Sequence, residues 1–367
     1  MKEREVYISG LGSYSPGSPV PFDQIEDVLG KITEAPPKLL KRIERMRPVM
    51  KELLGIEYSY YALDPKTRQK TENNVSMCVK SANIALERAE LKAEQVDLIV
   101  YAGILYDYLC PPSSVLVQDA LNIPYCAEIA IHSNCTAIYK ALQVAADLVA
   151  NGRYNNALVV TSQLSSAFLR SEYYNQKMLT EEQVILRWFL SDGAGAVVVS
   201  SAPPPKNGFR IVDTYLESVG VGIEPTMRML IGAENSILPE IYDKGLHHLT
   251  QDIKVVSKLA PTLGLKGFRT MVEKTGLDVA SLRCFFANVP TKHLMDQIIK
   301  DVRSNWNNTI PFYTKLATRG YQGAPAIIIA LDEYMHENDL KSGDTLASFV
   351  TESSKWMHAG FILEYCS

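Results

Sequence analysis

Short apolar runs alternate with longer amphipathic stretches along most of this chain. The lengths and compositions of these runs predict ten β-strands, at 6–9, 96–102, 127–131, 157–161, 194–200, 210–217, 284–288, 310–314, 345–350 and 359–365. Apolar strands that are separated by helical stretches are typical of mostly parallel sheets covered by helices on both faces. The pattern therefore predicts an α/β fold.

The segment 201–208, with the sequence SAPPPKNG, interrupts this pattern near its middle. Three successive prolines end any regular element, so we predict an N-terminal half at 1–203 and a C-terminal half at 204–367. The second half repeats the first, because 282–289 (LRCFFANV) corresponds to 96–103 (VDLIVYAG) in place and pattern. Two such sheets that share a layer of buried helices would form a five-layered αβαβα body.

Cys135 lies where a predicted strand meets a predicted helix. The strand at 127–131 runs into small polar residues, and an apolar helical stripe follows the cysteine until Gly152. A thiol above a helix N-terminus is close to backbone N–H groups that favour the thiolate and can hold an oxyanion. This context predicts a nucleophile. The alternative is a buried and inert core cysteine, which is the commoner role of this residue.

Composition narrows the classes of function. The chain has 367 residues, a net charge of -4 and an apolar fraction of 47%. The slight acidity argues against nucleic-acid binding, and no apolar stretch is long enough to predict a membrane span. The N-terminus, MKEREVYISG, leads into a strand rather than a signal peptide, so we expect a cytoplasmic protein. Its six cysteines show no metal-ligand spacing, and we predict no metal site.

Several segments together resemble the thiolase superfamily and, within it, the β-ketoacyl-ACP synthase III group. The resemblance covers nearly the whole chain. Its main carriers are VDLIVYAGILYDYLCPPSSVLVQDAL, SNCTAIYKALQVAADLVANGRYNNALVV, FLSDGAGAVVVSS, YQGAPAIIIALDE and SGDTLASFVTESSKWMHAGFILEY. It implies the thiolase fold, with Cys135 at the position of the family's nucleophile. It further implies a coenzyme A or phosphopantetheine thioester as substrate, no tightly bound cofactor, and acyl-CoA or an acyl carrier protein as partner.

The other catalytic positions depart from the resembled family. Its members carry a histidine and an asparagine that activate the cysteine and stabilise an enolate. These positions fall on Asn288 and Tyr321, and the family's glycine-rich closing loop falls on 353–356 (SSKW). Asparagine can donate hydrogen bonds to a thioester carbonyl but cannot accept the proton of a thiol as a base. Tyrosine is bulkier and can donate through its hydroxyl. These departures favour acyl transfer without decarboxylation.

A substitute base would have to come from the six histidines. His358 is the best candidate, because its segment borders the active site in the resembled family. A structural role remains the simpler alternative for each histidine, including His132, His247, His248, His293 and His336. The resemblance also places Arg187 and Trp188 near the coenzyme A nucleotide, although a tryptophan on a helix is more often a packing residue.

These observations predict an acyltransferase or condensing enzyme with an acyl thioester on Cys135, in fatty-acid-like or secondary, polyketide-type metabolism. A hypothesis from a different class is a catalytically weak or inactive subunit that pairs with an active homologue. The resemblance implies a homodimer, or a heterodimer with a homologue. The resemblance also implies that the strand at 157–161 pairs across the dimer axis, and its apolar sequence would be a poor edge to leave in water.

Overall fold

Fourteen β-strands and twelve α-helices are present in residues 4–306 and 309–367, which the computed structural model describes. The strands are β1 (Tyr7–Tyr14), β2 (Val20–Pro21), β3 (Tyr58–Ser59), β4 (Leu98–Gly103), β5 (Ala127–His132), β6 (Asn156–Gln163), β7 (Gly193–Ser200), β8 (Gly208–Ser218), β9 (Met227–Arg228), β10 (Thr250–Gln251), β11 (Cys284–Ala287), β12 (Phe312–Tyr313), β13 (Thr345–Glu352) and β14 (Met357–Cys366).

The helices are α1 (Ile25–Leu29), α2 (Pro37–Leu54), α3 (Asn74–Arg88), α4 (Ser113–Ala120), α5 (Ala137–Ala150), α6 (Ser166–Leu169), α7 (Glu181–Phe189), α8 (Leu238–Asp243), α9 (Ile253–Thr275), α10 (Lys292–Asn305), α11 (Leu316–Arg319) and α12 (Pro325–Glu337). Within the described ranges, none of them is long and apolar enough to cross a membrane.

Ten strands form one continuous sheet in the order β12-β11-β13-β14-β8-β1-β7-β6-β4-β5. Each group of five, read from its outer edge, places its own third, second, fourth, fifth and first strands in succession. The pairing directions also agree, because each group has two parallel pairs followed by two antiparallel pairs. All ten predicted strands are present, and the predicted pseudo-repeat is confirmed. The exact division of the chain at residue 203 stays a prediction.

Two buried helices lie between the two groups of strands. α5 contacts strands of both groups, and so does α12. Their apolar side chains form one core with β4, β6, β7, β8 and β14. α3 and α4 cover the outer face of the first five strands, and α9 covers that of the last five, with α10 packed against it. This is the five-layered αβαβα arrangement that the sequence predicts.

The two groups of strands meet where β1 pairs with β8, through Tyr7 with Arg210 and Ile8 with Phe209. At the far end of the first group, β5 has β4 as its only neighbour in the sheet. The expectation that the strand at 157–161 lies at a dimer edge is wrong, because β6 is hydrogen-bonded to β4 on one side and β7 on the other. The free edge of the first half is β5.

Candidate active site

Cys135 lies in the tight turn between β5 and α5. The turn is anchored by its backbone, since the Ser133 N–H donates to the Gly103 carbonyl at 3.1 Å and the Ala137 N–H to that of Asn134 at 2.9 Å. The apolar stripe of α5 is buried in the central core, which fixes the direction in which the turn projects. Cys135 therefore faces a cavity of about 750 Å³, where Asn288 and Tyr321 also line the wall.

A buried carboxylate accepts hydrogen bonds from backbone N–H groups of this turn. Glu352, at the end of β13, is 1% exposed, and its Oε2 accepts hydrogen bonds from the Thr136 N–H at 2.9 Å and the Asn134 N–H at 3.2 Å. The Thr136 hydroxyl donates to the same oxygen at 2.6 Å. Two amide groups that were expected to favour a thiolate or hold an oxyanion are thus bound to a charged side chain of the protein.

The surroundings of Cys135 favour its thiol over its thiolate. Burial, and secondarily the negative charge of Glu352, raise the pKa of Cys135 to about 12. The expectation of a thiolate favoured by the helix N-terminus is therefore wrong for this resting site. The dipole of α5 is present, but the Glu352 carboxylate offsets it at the point where it would act.

Tyr321 lies directly against the sulfur. Its hydroxyl donates a hydrogen bond to Sγ of Cys135 at 2.9 Å. The backbone at Tyr321 is fixed on both sides, because its N–H donates to the Phe189 carbonyl and its own carbonyl accepts from the Ser191 N–H, each at 2.9 Å. Burial raises the pKa of Tyr321 well above its usual value, so the phenol remains a donor rather than a base.

Asn288 follows β11 and is 4% exposed on the cavity wall. Its amide lies near the hydroxyl of Tyr139, but neither Oδ1 nor Nδ2 has a hydrogen-bond partner of ordinary geometry. A buried amide without partners costs about 1–3 kcal/mol. A ligand that brought an acceptor or a donor into the cavity would satisfy this group, so Asn288 is placed to bind a polar atom of a substrate.

The rest of the cavity is largely apolar and extends between α9 and α10. Its walls here include Val256, Leu265 and Phe268 from α9 and Leu294 and Ile298 from α10. Pockets of this size that are mostly apolar, with a few polar groups, are typical small-molecule sites. The geometry suits an extended apolar group with one polar end near Cys135.

Comparison with known proteins finds the same resemblance. The family model for 3-oxoacyl-[acyl-carrier-protein (ACP)] synthase III matches residues 129–220, which include the Cys135 turn. The chain is also 26% identical over 277 residues to the β-ketoacyl-[acyl-carrier-protein] synthase III of Clostridium novyi (strain NT), covering 76% of this chain and 80% of the relative. The chain is therefore similar to the β-ketoacyl-ACP synthase III group of the thiolase superfamily.

Solved structures agree with the fold of this synthase III-like protein. The tetronic acid condensing enzyme AbyA1 superposes with a TM-score of 0.80 at 19% identity, covering 98% of this chain and 99% of that one. The 3-oxoacyl-(acyl carrier protein) synthase III of Pseudomonas aeruginosa PAO1 superposes with a TM-score of 0.73 at 19% identity, and the coverage is 98% of both chains. The thiolase fold implied by the sequence is thereby confirmed.

The structure does not bring His358 to Cys135. Successive side chains of β14 point to opposite faces, so Ala359 and Phe361 join the central core while His358 faces α9. There it fills the space above Gly267, where a Cβ would collide with the imidazole ring of His358. Burial lowers its pKa to about 4. The choice of His358 as the substitute base is corrected on this ground.

Arg187 and Trp188 do not reach the cavity either. Both are 0% exposed in the packed interior around α7. The Arg187 guanidinium donates to the carbonyls of Leu169 at 2.9 Å and Leu29 at 3.2 Å, and also to that of Gly30. The proposed contact with a coenzyme A nucleotide is therefore corrected: these side chains hold the helix and its neighbouring loops together.

His132 was considered in the sequence analysis but passed over in favour of His358. It lines the cavity at the end of β5, with its ring 5.4 Å from that of Tyr106, and it is the one histidine of six to do so. Glu352 was missed by the sequence interpretation. The signal for Glu352 was an acidic residue at the end of an apolar strand, beside the loop that departs from the family pattern.

Proposed function

We propose that this synthase III-like protein is an acyltransferase or condensing enzyme in which Cys135 carries the acyl group. The observation that supports this most directly is the opening of the Cys135 sulfur onto a large cavity with mostly apolar walls. The donor is a thioester of coenzyme A or of an acyl carrier protein. Such chemistry belongs to fatty-acid-like or secondary, polyketide-type metabolism.

In the first step the sulfur of Cys135 attacks the thioester carbonyl. A new carbon–sulfur bond forms to Cys135, the bond to the donor sulfur breaks, and the thiol proton leaves with the donor as free thiol. Because the proton passes from one sulfur to another, this step needs no net acceptor from the protein. The unpaired Nδ2 of Asn288 is suited to donate to the carbonyl oxygen as it becomes negative.

In the second step a carbon, oxygen or nitrogen nucleophile attacks the acyl carbonyl, the bond to Sγ of Cys135 breaks, and the proton of the nucleophile restores the Cys135 thiol. We propose that this step proceeds without decarboxylation of the acceptor. Asn288 supplies no imidazolium, and the Tyr321 phenol replaces the family's asparagine, so the groups that stabilise a malonyl-derived enolate in the family are changed. The apolar walls between α9 and α10 favour a long hydrocarbon acyl chain over an acetyl group.

Acylation of the protein is the direct test. Incubation with acyl-CoA donors should add one acyl mass to the intact protein, and peptide mapping should place it on Cys135. The Cys135→Ala variant should form no adduct, whereas Cys110→Ala, which removes an exposed cysteine, should acylate normally. Absence of an adduct on the wild type, or an adduct that persists in Cys135→Ala, would contradict the proposal.

A second candidate function is a catalytically weak subunit that pairs with an active homologue. The observation in its favour is the resting thiol, whose pKa is raised to about 12 by burial and by Glu352 and which contacts a phenol rather than a base. Purification of the chain alone distinguishes the two functions. A lone protein that turns over a thioester excludes the subunit hypothesis, and activity only in the presence of a co-purifying homologue supports it.

A further inference from the structure

The Cys135 turn and Glu352 come from opposite halves of the molecule and form one hydrogen-bonded unit. Oε2 of Glu352 accepts from the backbone of the residue before Cys135 and the residue after it. Its other oxygen, Oε1, accepts from the hydroxyl of Ser354. The carboxylate therefore stands where the N-terminus of α5 offers its unpaired N–H groups, and it caps that helix from another element.

The charge of this carboxylate is only indirectly compensated. The ammonium group of Lys140 reaches it through Ser133, whose hydroxyl lies 2.7 Å from the Lys140 Nζ and 3.2 Å from Oε2 of Glu352. The phenols of Tyr321 and Tyr139 also face Cys135, and His132 lines the same cavity. Glu352 is thus the one anionic group in the immediate surroundings of the sulfur as the described residues define them.

We propose that Glu352 is a positioning residue that fixes the turn around Cys135 and, in addition to burial, disfavours the thiolate of Cys135 in the free protein. A second negative charge beside a buried carboxylate is unfavourable. The buried surroundings have a low polarisability, so they screen the repulsion between the two charges only weakly. A thiol is uncharged, and so is an acylated cysteine, so neither conflicts with Glu352. The assignment concerns the thiol itself and does not depend on the identity of the acyl donor.

The rate at which iodoacetamide alkylates Cys135 tests this assignment. The Glu352→Gln variant keeps an acceptor oxygen for the Thr136 amide and removes the charge. We expect its rate at a fixed pH between about 8 and 10 to be about tenfold higher than that of the wild type, the effect of a one-unit fall in thiol pKa. The rate is followed by peptide mass spectrometry at Cys135, so it remains measurable even if the protein transfers no acyl group.

Two further variants separate charge from packing. Glu364→Gln removes a carboxylate that pairs with Arg210 elsewhere on the sheet, and it should leave the alkylation rate unchanged. Glu352→Asp keeps the charge but shortens the side chain, so it should lower the melting temperature without accelerating alkylation about tenfold. A folded Glu352→Gln protein with the wild-type alkylation rate would overturn the assignment.

If Glu352→Gln does not fold, Lys140→Met gives an independent measurement. Lys140 partly compensates Glu352 through Ser133, so its removal should strengthen the effect of the carboxylate on the sulfur. We expect slower alkylation of Cys135 than in the wild type at the same pH. An unchanged or faster rate would show that the charge of this network does not govern the thiol, and would also overturn the assignment.

Discussion

Cys135 is surrounded by three groups that each restrict its chemistry in a different way. Tyr321 donates to the sulfur, Asn288 leaves an unpaired amide on the cavity wall, and Glu352 binds the backbone on either side of the cysteine. None of these three groups readily accepts a proton from a thiol. The reactivity of the residue is therefore set by groups distant in sequence and not by its own turn.

The pH dependence of Cys135 modification follows from its surroundings. Burial, with Glu352, raises the pKa of Cys135 to about 12, so the reactive thiolate is a minor species at every pH at which the protein is usually handled. We expect the alkylation rate of the wild type to increase about tenfold per pH unit up to about pH 10, without reaching a plateau. The exposed Cys110 of the same sample gives the reference. A plateau below about pH 9 would contradict the raised pKa.

Replacement of Asn288 tests its proposed role in transfer. If its amide polarises the thioester carbonyl, Asn288→Ala should lower the rate of Cys135 acylation by about 10²-fold, as the loss of an oxyanion donor does. Single-turnover acylation followed by mass spectrometry measures this rate. Asn305→Ala, at the end of α10, is the matched control and should be silent. If Asn288→Ala acylates at the wild-type rate, Asn288 has no role in the transfer.

Restoring the family residues tests the same positions from the opposite direction. The double variant Asn288→His and Tyr321→Asn places an imidazole and an amide at two positions on the wall of the Cys135 cavity. We expect at least trace release of carbon dioxide from a malonyl thioester, detectable with carboxyl-labelled substrate. No release from a variant that folds and still acylates would show that the shape of the cavity itself has diverged.

The sequence was sufficient to place Cys135 at a strand-to-helix turn, because that strand and that helix are its neighbours in the chain. It was insufficient for His358, whose direction depends on the alternation of β14, and for Arg187, whose partners are carbonyls of separate loops. Glu352 is the clearest example of a residue whose role the sequence could not predict. Its role is defined by a contact between the two halves of the fold, and no local pattern contains that contact.

At the scale of elements, α9 determines how far the cavity extends from Cys135. Ala260, Gly264 and Leu265 of α9 line the cavity, and the helix continues through Pro261. Small residues among those that line the cavity keep the helix close to the sheet while leaving room beside it. The length of an acyl chain that the protein accepts should therefore depend on single positions of α9.

Gly264 provides the test of acyl-chain length. A Cβ at this position would meet only the Thr351 Oγ1, at 3.3 Å, so a larger side chain can enter the cavity. We expect Gly264→Phe to reduce acylation by dodecanoyl-CoA about tenfold or more relative to acetyl-CoA. Thr262→Phe, on the exposed side of the same helix, should leave this ratio unchanged. If Gly264→Phe reduces acylation by both donors equally, the acyl chain does not lie beside Gly264.

The elements were more predictable than the cavity they form. Every predicted strand is present because apolar, β-branched runs have few alternatives when both faces of a sheet are covered. The short strands β9 and β10 were not predicted, since two paired residues leave no periodic pattern. They carry Met227 and Gln251 to the cavity wall, so part of the lining was missed with them.

At the scale of the whole molecule, the free edge of β5 is the surface where we expect a second copy to bind. Among the residues that the structure describes, no strand pairs with β5 on the side away from β4, and its alternate residues Glu128, Ala130 and His132 are exposed. Ala130→Lys should convert the dimer to a monomer in analytical ultracentrifugation at micromolar concentration, because the added charges meet across a symmetric interface. Glu90→Lys, on a distant exposed turn, should not. A monomeric wild type would contradict the prediction.

The two halves are held together by more than the chain that links them. β1 pairs with β8, and α5 and α12 each pack against strands of both halves. A single proteolytic cut within 201–207 would therefore yield two associated fragments, with Cys135 on one and Tyr321 and Glu352 on the other. Each fragment alone would expose the apolar side of its central helix to water and would be prone to aggregate. Neither fragment would be an enzyme by itself, and activity would return only when the two were refolded together.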